Sequence, residues 1–538
     1  MSQITRPQLT RRGLLGGTAA AGLVSAAGPA FSFERAGDRK ILVYSGGQPV
    51  PVLDPHSRYD WSMRTIHQSL YDALAKYVNN PPQIVPWLAE SWETSADAKT
   101  WTFHLVANAK FHNGDPLDAE AVRFSFERAL RMNKGVAWML NTYLDPEGVT
   151  AVDARTVRFT LKQAFPAFIT YIPLWFIVNP RQVTPNVAGA DFGEAWLTTN
   201  DAGSGPYKLR RFEPQSLVQM DAVEDYWKGW PMGEANRPAG IIYRIIREPA
   251  PRRAALGRGE VDWATELTFD DYDALRTTRG MVVPNEPGVT TFAITMNTTK
   301  GPTSDLNVRK ALAYAFDYES LIPIHNGAAS LMTSPFPNAI PGYIPVPNMP
   351  RRDLAKAREY LARAPAQWAN GNFELEYVHV QGLEDPRRIG LALLNSLQPL
   401  NIRVNIVAQP WPTMVARGSR PDTAPDMVSV YVTPVSMDPD VIAAKYHPRA
   451  HGQFWGMHHL TDPALAQMID AARGEPNAER RLAIYADIQR KVVEDQPEIW
   501  GMLANRQWGF RDYVKGFVYC PLRLTGEVDL YTLWVDAR

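Results

Sequence analysis

Pro86 to Pro116 reads PWLAESWETSADAKTWTFHLVANAKFHNGDP, and it runs directly into LDAEAVRFSFERAL, Leu117 to Leu130. Trp101-Thr102-Phe103-His104-Leu105 alternates, so Trp101, Phe103 and Leu105 share one face of a strand. Asn113-Gly114 is a turn signal. Asp115 and Asp118 stand where a carboxylate can cap the helix that follows. Ala121, Val122, Phe126, Ala129 and Leu130 then recur at helical spacing and form its apolar stripe. Val157-Arg158-Phe159-Thr160-Leu161 is a second alternating strand, entered through a turn at Asp153-Ala154-Arg155. A strand, a capped helix and a strand in this order make a sheet-and-helix unit anchored by Trp87, Trp92, Trp101 and Phe111.

Upstream, Lys40 to Tyr44 (KILVY) is a short apolar strand that ends at Ser45-Gly46-Gly47. The spacing of Ile66, Leu70, Ala73 and Leu74 predicts a helix from Ser62 to Tyr77, broken by Asn79-Asn80-Pro81-Pro82. Downstream, Gly203-Ser204-Gly205-Pro206 is a loop between elements, followed by paired strands at Tyr207–Leu209 and Leu217–Met220. A helix over Arg252 to Arg258 feeds a strand at Val261-Asp262-Trp263. A strand from Thr290 to Met296 precedes a helix over Leu306 to Leu321. Six prolines between Pro335 and Pro350 exclude regular structure there. Helices and strands then alternate: Asp353–Arg363, Phe373–Val380, Pro386–Leu400 and Val404–Ala408. That alternation is the mark of an α/β domain. Asn401 stands where a left-handed helix cap belongs. A last long helix covers Ala478 to Val493.

The chain has 538 residues, 56 Lys and Arg against 56 Asp and Glu, and 16 Trp. At about 100–200 residues per domain this length suggests three domains or so. The first 30 residues hold Arg6, Arg11 and Arg12 and no acid. They read as a signal peptide of the twin-arginine type, with the weakly apolar run Gly13 to Ala27 and small residues near Ala30. The remainder is slightly acidic, which disfavours a nucleic-acid partner. Cys520 is the one cysteine, so the fold is held without an internal disulfide and no lipid-bearing cysteine follows the signal. An exported, unanchored protein of this kind points to a periplasm.

No phosphate loop, GxSxG or HExxH is present, and no catalytic residue, cofactor or metal ligand set is assigned. His447, His451, His458 and His459 cluster in a loop. They are either packed imidazoles or the start of a metal or metal-chelate site.

Several stretches of the chain are jointly specific. The block at Pro86–Leu130 stands with LDPH at Leu53 to His56, GSGPYKL at Gly203 to Leu209 and YWKG at Tyr226 to Gly229. GEVDWA at Gly259 to Ala264, MNT at Met296 to Thr298, NVRKALAYAFDYESLI at Asn307 to Ile322 and DPD at Asp438 to Asp440 follow in order. This pattern resembles the family 5 extracellular solute-binding proteins, the peptide-, opine- and nickel-binding proteins of ABC importers. Val106 departs from it, since the family usually carries a basic residue there. The motif residues themselves read as scaffold.

The resemblance implies an α/β, two-lobed periplasmic binding protein fold of the large three-domain type, with mixed sheets and flanking helices. A split domain at 31–82, 202–289 and 505–538 joins an inserted domain at 83–201. An α/β domain at 290–504 forms the second lobe, and the lobes close on a ligand about crossings near 290 and 504. The function implied is capture of a small organic solute or short peptide between the lobes by a monomer, and delivery to the membrane permease of an ABC importer. A secreted enzyme on a related scaffold, a nickel or metal-chelate binder, and a binding protein serving a sensor or folding are the alternatives.

Peptide-binding members pair an acid with the ligand's amino group three residues before the DP of the DPD-like motif. That position here is Val435. The loop His379-Val380-Gln381-Gly382 lacks the arginine of dipeptide binders, and Arg387 and Arg388 read as the start of a helix. Both losses favour an opine-like, glycosidic or aromatic solute over an ordinary short peptide. The expected ligand contacts are Tyr44 and Ser45 at the first strand end, and Trp411, Tyr431, Val435, Asp438 and Trp455 from the second lobe.

Overall fold

The computed structural model describes residues 41–523 and 527–536. The signal segment 1–30 and Lys40 lie outside them. Among the described residues no helix is long and apolar enough to cross a membrane.

Three sheets organise the chain. A seven-stranded sheet runs in the order Met281–Val282, Gly509–Arg511, Trp263–Ala264, Ile41–Gly46, Gly240–Ile245, Leu217–Ala222 and Tyr207–Glu213. Its first-in-sequence strand lies at the centre, parallel to both neighbours. A six-stranded sheet runs Ala329–Leu331, Glu498–Gln507, Asn285–Met296, Met427–Val432, Glu374–Val380 and Arg403–Gln409, and its last three strands are mutually parallel. A four-stranded antiparallel sheet, Ala89–Thr94, Thr100–Leu105, Thr156–Thr160 and Val149–Asp153, carries the alternating pattern of the opening block. Trp101, Phe103 and Leu105 are buried on one face, against Phe126 and Ala129 of helix Ala119–Met132. Asp118 caps that helix by accepting from Ala121 N–H at 3.0 Å. Asp115 instead ties its loop to Asn113, Asn179 and Arg181.

The recurrent motifs turn out to be bolts between distant segments. Asp54 and His56 of LDPH hold Arg128 of the capped helix: Nη1 and Nη2 donate to Asp54 at 3.0 and 2.6 Å, and Nη1 donates to His56 Nδ1 at 2.9 Å. Asp262 of GEVDWA accepts from Val43 N–H and from the Tyr513 hydroxyl. In DPD, Asp438 takes both terminal nitrogens of Arg481 at 2.7 Å, and Asp440 pairs with Arg473.

Two predicted helices are shorter than their spacing suggests. The first ends at Leu70 rather than Tyr77, because Tyr71 is extended and the chain turns Asp72 into the interior. Gly203 and Gly205 press on that end: a Cβ there would lie 1.8 and 2.4 Å from the Leu70 and Ser69 carbonyl oxygens. The helix Leu306–Ala315 stops where Phe316 turns extended and enters the core, and 3-10 and short helical turns complete the segment to Ile324. Asn401 adopts the left-handed conformation, φ +57°. The proline-rich stretch contains no helix or strand.

Candidate functional site

Helix Arg64–Leu70 and the hairpin Ala75–Val78/Gln83–Pro86 frame a pocket with about 670 Å³ of atom-free space, including solvent at its mouth. Pro173, Leu174 and Phe176 form one side, and Cys520, Leu522, Arg523 and Glu527 another. Val435, from the loop after strand Met427–Val432 of the six-stranded sheet, lines it as well. The Tyr77 hydroxyl donates to Thr170 O at 2.6 Å and lies 3.4 Å from Met437 N–H. The hairpin and the segment after strand Met427–Val432 therefore meet at this point.

The pocket rests on Asp72. Its Oδ1 accepts from Trp87 Nε1 at 2.7 Å and Tyr226 OH at 2.8 Å, and its Oδ2 from Trp227 Nε1 at 2.9 Å and Ser204 Oγ at 3.0 Å. Three of the recurrent motifs thus converge on one carboxylate. Burial raises its pKa, and the four donors oppose that rise.

The wall is ionic. Arg64 Nε and Nη2 donate to Glu527 at 2.9 and 3.3 Å. Asp529 is shared by Lys76 Nζ at 2.8 Å and Arg523 Nη2 at 3.1 Å. Burial alone would raise the Asp529 pKa, but the two cations pull it down to about 2. Lys76 Nζ also lies 4.4 Å from the Trp87 ring centroid and 5.1 Å from that of Tyr531, within cation–π range.

A second meeting point lies at the carboxyl ends of parallel strands, where α/β sheets present their ligands. Strands Ile41–Gly46 and Trp263–Ala264 end at Gly46-Gly47 and Thr265-Glu266. A Cβ on Gly47 would lie 3.0 Å from Glu266 Oε2, so the carboxylate sits directly on the glycine turn. Glu266 holds φ +56°, an uncommon conformation for a side-chain-bearing residue. Phe269 follows, and its ring meets His325 of the other lobe at 5.3 Å. His325 Nε2 lies 3.0 Å from the Tyr431 hydroxyl, which donates to Asp385. Beside it, Asn326 Nδ2 donates to Asp270 and Asp273 of helix Phe269–Arg276 at 3.0 and 2.8 Å.

Of the seven residues expected from sequence, Val435 is the one that lines the pocket. Tyr44 is buried, stacked on Tyr243 at 5.0 Å, with its hydroxyl 3.4 Å from Thr265 Oγ1; burial raises its pKa. Ser45 is buried beside it, and its Oγ has no hydrogen-bond partner. Tyr431 stands at the second meeting point. Trp411 is 41% exposed, edge-on to Phe454, which in turn meets Trp455. These three rings form a patch at the outer end of the six-stranded sheet. Asp438 is engaged by Arg481. Arg387 and Arg388 both pair with Glu384 at their helix start. Sequence reasoning missed Arg64, Lys76, Arg523 and Glu527, which lie up to several hundred residues apart and carry no shared local pattern.

The clustered imidazoles are built into the fold. Nε2 of His451, His458 and His459 each bond a backbone carbonyl, and His447 faces Asp470. Among the described residues no group of three His, Cys, Asp or Glu side chains could hold a metal ion.

Residues 83–451 match the family model described as "Bacterial extracellular solute-binding proteins, family 5 Middle". The probable D,D-dipeptide-binding periplasmic protein DdpA of Escherichia coli K12 is 27% identical over 498 residues, 90% of this chain and 92% of that protein. Heme-binding protein A of Haemophilus influenzae is 26% identical over 496 residues, 88% of each chain. Among solved structures, the ABC transporter substrate-binding protein CtaP of Listeria monocytogenes superposes with a TM-score of 0.82 at 20% identity, covering 93% of this chain and 100% of that one.

Proposed function

Because the chain belongs to family 5 of the bacterial extracellular solute-binding proteins, we propose that it holds one small organic solute between its lobes and delivers it to the membrane permease of an ABC importer. The family is one of binding proteins rather than enzymes. The observation that carries the location is the pocket walled by helix Arg64–Leu70, the following hairpin and the C-terminal segment, and closed by Val435 from the opposite lobe. The solute is the link that holds the lobes together there, and its contacts supply the free energy favouring the closed form.

The proposed division follows the sheets: 31–82, 202–289 and 505–538 with the insert 83–201 in one lobe, and 290–504 in the other. The hinge is the strand pair Asn285–Met296/Glu498–Gln507, whose register shifts between Glu286 and Thr290. Val435 offers the solute no charge, which supports an opine-like, glycosidic or aromatic compound over a zwitterionic peptide. Tyr44, Ser45 and Tyr431 belong in this reading to the cleft edge, Trp411 and Trp455 to its outer end, and Asp438 to the support of the Val435 loop. The working unit is the monomer, periplasmic and exported by the twin-arginine route.

Native mass spectrometry of the protein purified from its own periplasm tests this. One co-purifying organic mass supports it; a mixed set of short peptides overturns the reading of Val435. An empty protein that no solute stabilises against heat overturns the binding role. The export route is tested separately: an Arg11→Lys/Arg12→Lys variant is expected to accumulate in the cytoplasm with residues 1–30 attached, and normal export would refute it.

A further inference from the structure

Hydrogen-bond donors and acceptors are not balanced in the pocket. Every carboxylate of its wall is occupied. Asp72 has four donors on its two oxygens. Glu527 receives Arg64 on both oxygens. Asp529, just behind the wall, receives Lys76, Arg523 and the Tyr531 N–H. No acid is left to receive an ammonium group.

The cations are differently placed. An ammonium carries three donors and a guanidinium five. Lys76 commits one contact to Asp529, and its remaining donors lie over the faces of Trp87 and Tyr531. Arg64 uses Nε and Nη2 on Glu527 and meets the Tyr59 hydroxyl, which leaves further N–H groups at the pocket wall. Two cations share Asp529, so hydrogen-bond donors outnumber acceptors at that corner. The same pocket is lined by Leu174, Phe176 and Val435, which offer neither donor nor acceptor from their side chains.

We propose that the solute carries a carboxylate, held by Lys76 and Arg64, and turns an apolar body towards Leu174, Phe176 and Val435. The assignment rests on the pocket reading above and names the chemical class of what fills it. Lys76 and Arg64 are then the specificity residues of the first lobe, and a free amino group on the solute finds no partner.

Cys520 lines the same pocket and is the one thiol of the chain, so it reports on the pocket directly. Iodoacetate and iodoacetamide alkylate a thiol by the same displacement and differ by the carboxylate. The readout is the ratio of their rates at Cys520 in the folded protein, divided by the same ratio in the urea-unfolded chain. Burial pushes the Cys520 thiol up, an effect that cancels in the ratio because both reagents attack the same thiolate, and the unfolded chain supplies the reagents' intrinsic ratio. At low salt the quotient is expected to be about tenfold above unity, because the spare donors of Lys76 and Arg64 receive the carboxylate. It falls towards unity in Lys76→Gln and in Arg64→Gln and survives in Lys76→Arg, which keeps the charge and controls for folding. A quotient at or below unity, or one that Lys76→Gln leaves unchanged, overturns the proposal. So does failure of both reagents to reach Cys520 in the folded protein. A neutral solute found by mass spectrometry together with a quotient of unity would sink the charge assignment and leave the solute-binding reading standing.

Discussion

Asp72 shows how one side chain can tie several motifs together. Its four donors come from Trp87, Ser204, Tyr226 and Trp227, three widely separated stretches of chain. Asp72→Ala leaves four donors without an acceptor, three of them on buried residues. At roughly 1–3 kcal/mol for each, the variant is expected to lose at least about 4 kcal/mol in urea unfolding. Asp438 is the comparable case in the second lobe. Asp438→Ala strands the buried Arg481 guanidinium and is expected to cost about 3–5 kcal/mol. Three histidines set the acid limit. Burial lowers His56 and His67 from 6.5 to about 4, and His458 to about 3. For His56 the geometry explains why: Arg128 donates to Nδ1, so the ring accepts there and is held neutral. The unfolded chain binds these protons first, so stability is full above pH 6.5 and falls as the pH drops towards 4. The loss amounts to on the order of 3 kcal/mol or more for each ring. Chemical denaturation at pH 7.5, 6 and 5 checks the sign, and stability rising towards pH 5 would contradict it.

Strands Asn285–Met296 and Glu498–Gln507, the hinge proposed above, depend on a glycine at their irregular point. Gly288 lies within the register shift, where a Cβ would stand 2.1 Å from Ala504 O. Gly288→Ala therefore forces the strands apart. It is expected to destabilise by about 1–3 kcal/mol and to change the rate of lobe closure followed by intrinsic Trp fluorescence. Much of the element pattern is legible in the sequence because its causes are local. Alternation marks Thr100–Leu105, Asp118 marks a helix start, and Asn401 marks a helix end, since each signal and its effect lie within a few residues. The first helix shows where this fails. Its apolar spacing continues past Leu70, but Tyr71 and Asp72 are diverted by Trp87, Ser204, Tyr226 and Trp227, and no window around residue 70 contains them. The pocket was hidden for the same reason. Arg64, Lys76 and Glu527 become neighbours only through the fold. Val435, which lines the pocket, is legible because its place is set relative to a nearby motif.

At the scale of the whole molecule, Asn326 joins the two proposed lobes beyond the pocket by donating to Asp270 and Asp273. These bonds are exposed, so each contributes about 0.5–1 kcal/mol. Asn326→Ala is expected to raise the open population several-fold and to enlarge the radius of gyration of the solute-free protein in small-angle X-ray scattering. An unchanged scattering curve would deny the contact any part in closure. The strand pair has another consequence. Strands Asn285–Met296 and Glu498–Gln507 run side by side and antiparallel, so the chain between them leaves and returns at the same place. Ile41 and Val535, near the two ends, are both fixed in strands outside that excursion. Tension applied to the ends in an optical trap is carried by the seven-stranded sheet at Ile41 and the two-stranded pair at Val535, and it bypasses the six-stranded sheet. Once those yield, the six-stranded sheet is loaded at the start of one strand and the end of its antiparallel neighbour, Asn285 and Gln507, and unzips one hydrogen bond at a time. The molecule is thus a strong link in series with a slack loop, and its force trace should show a high first rip and a lower second.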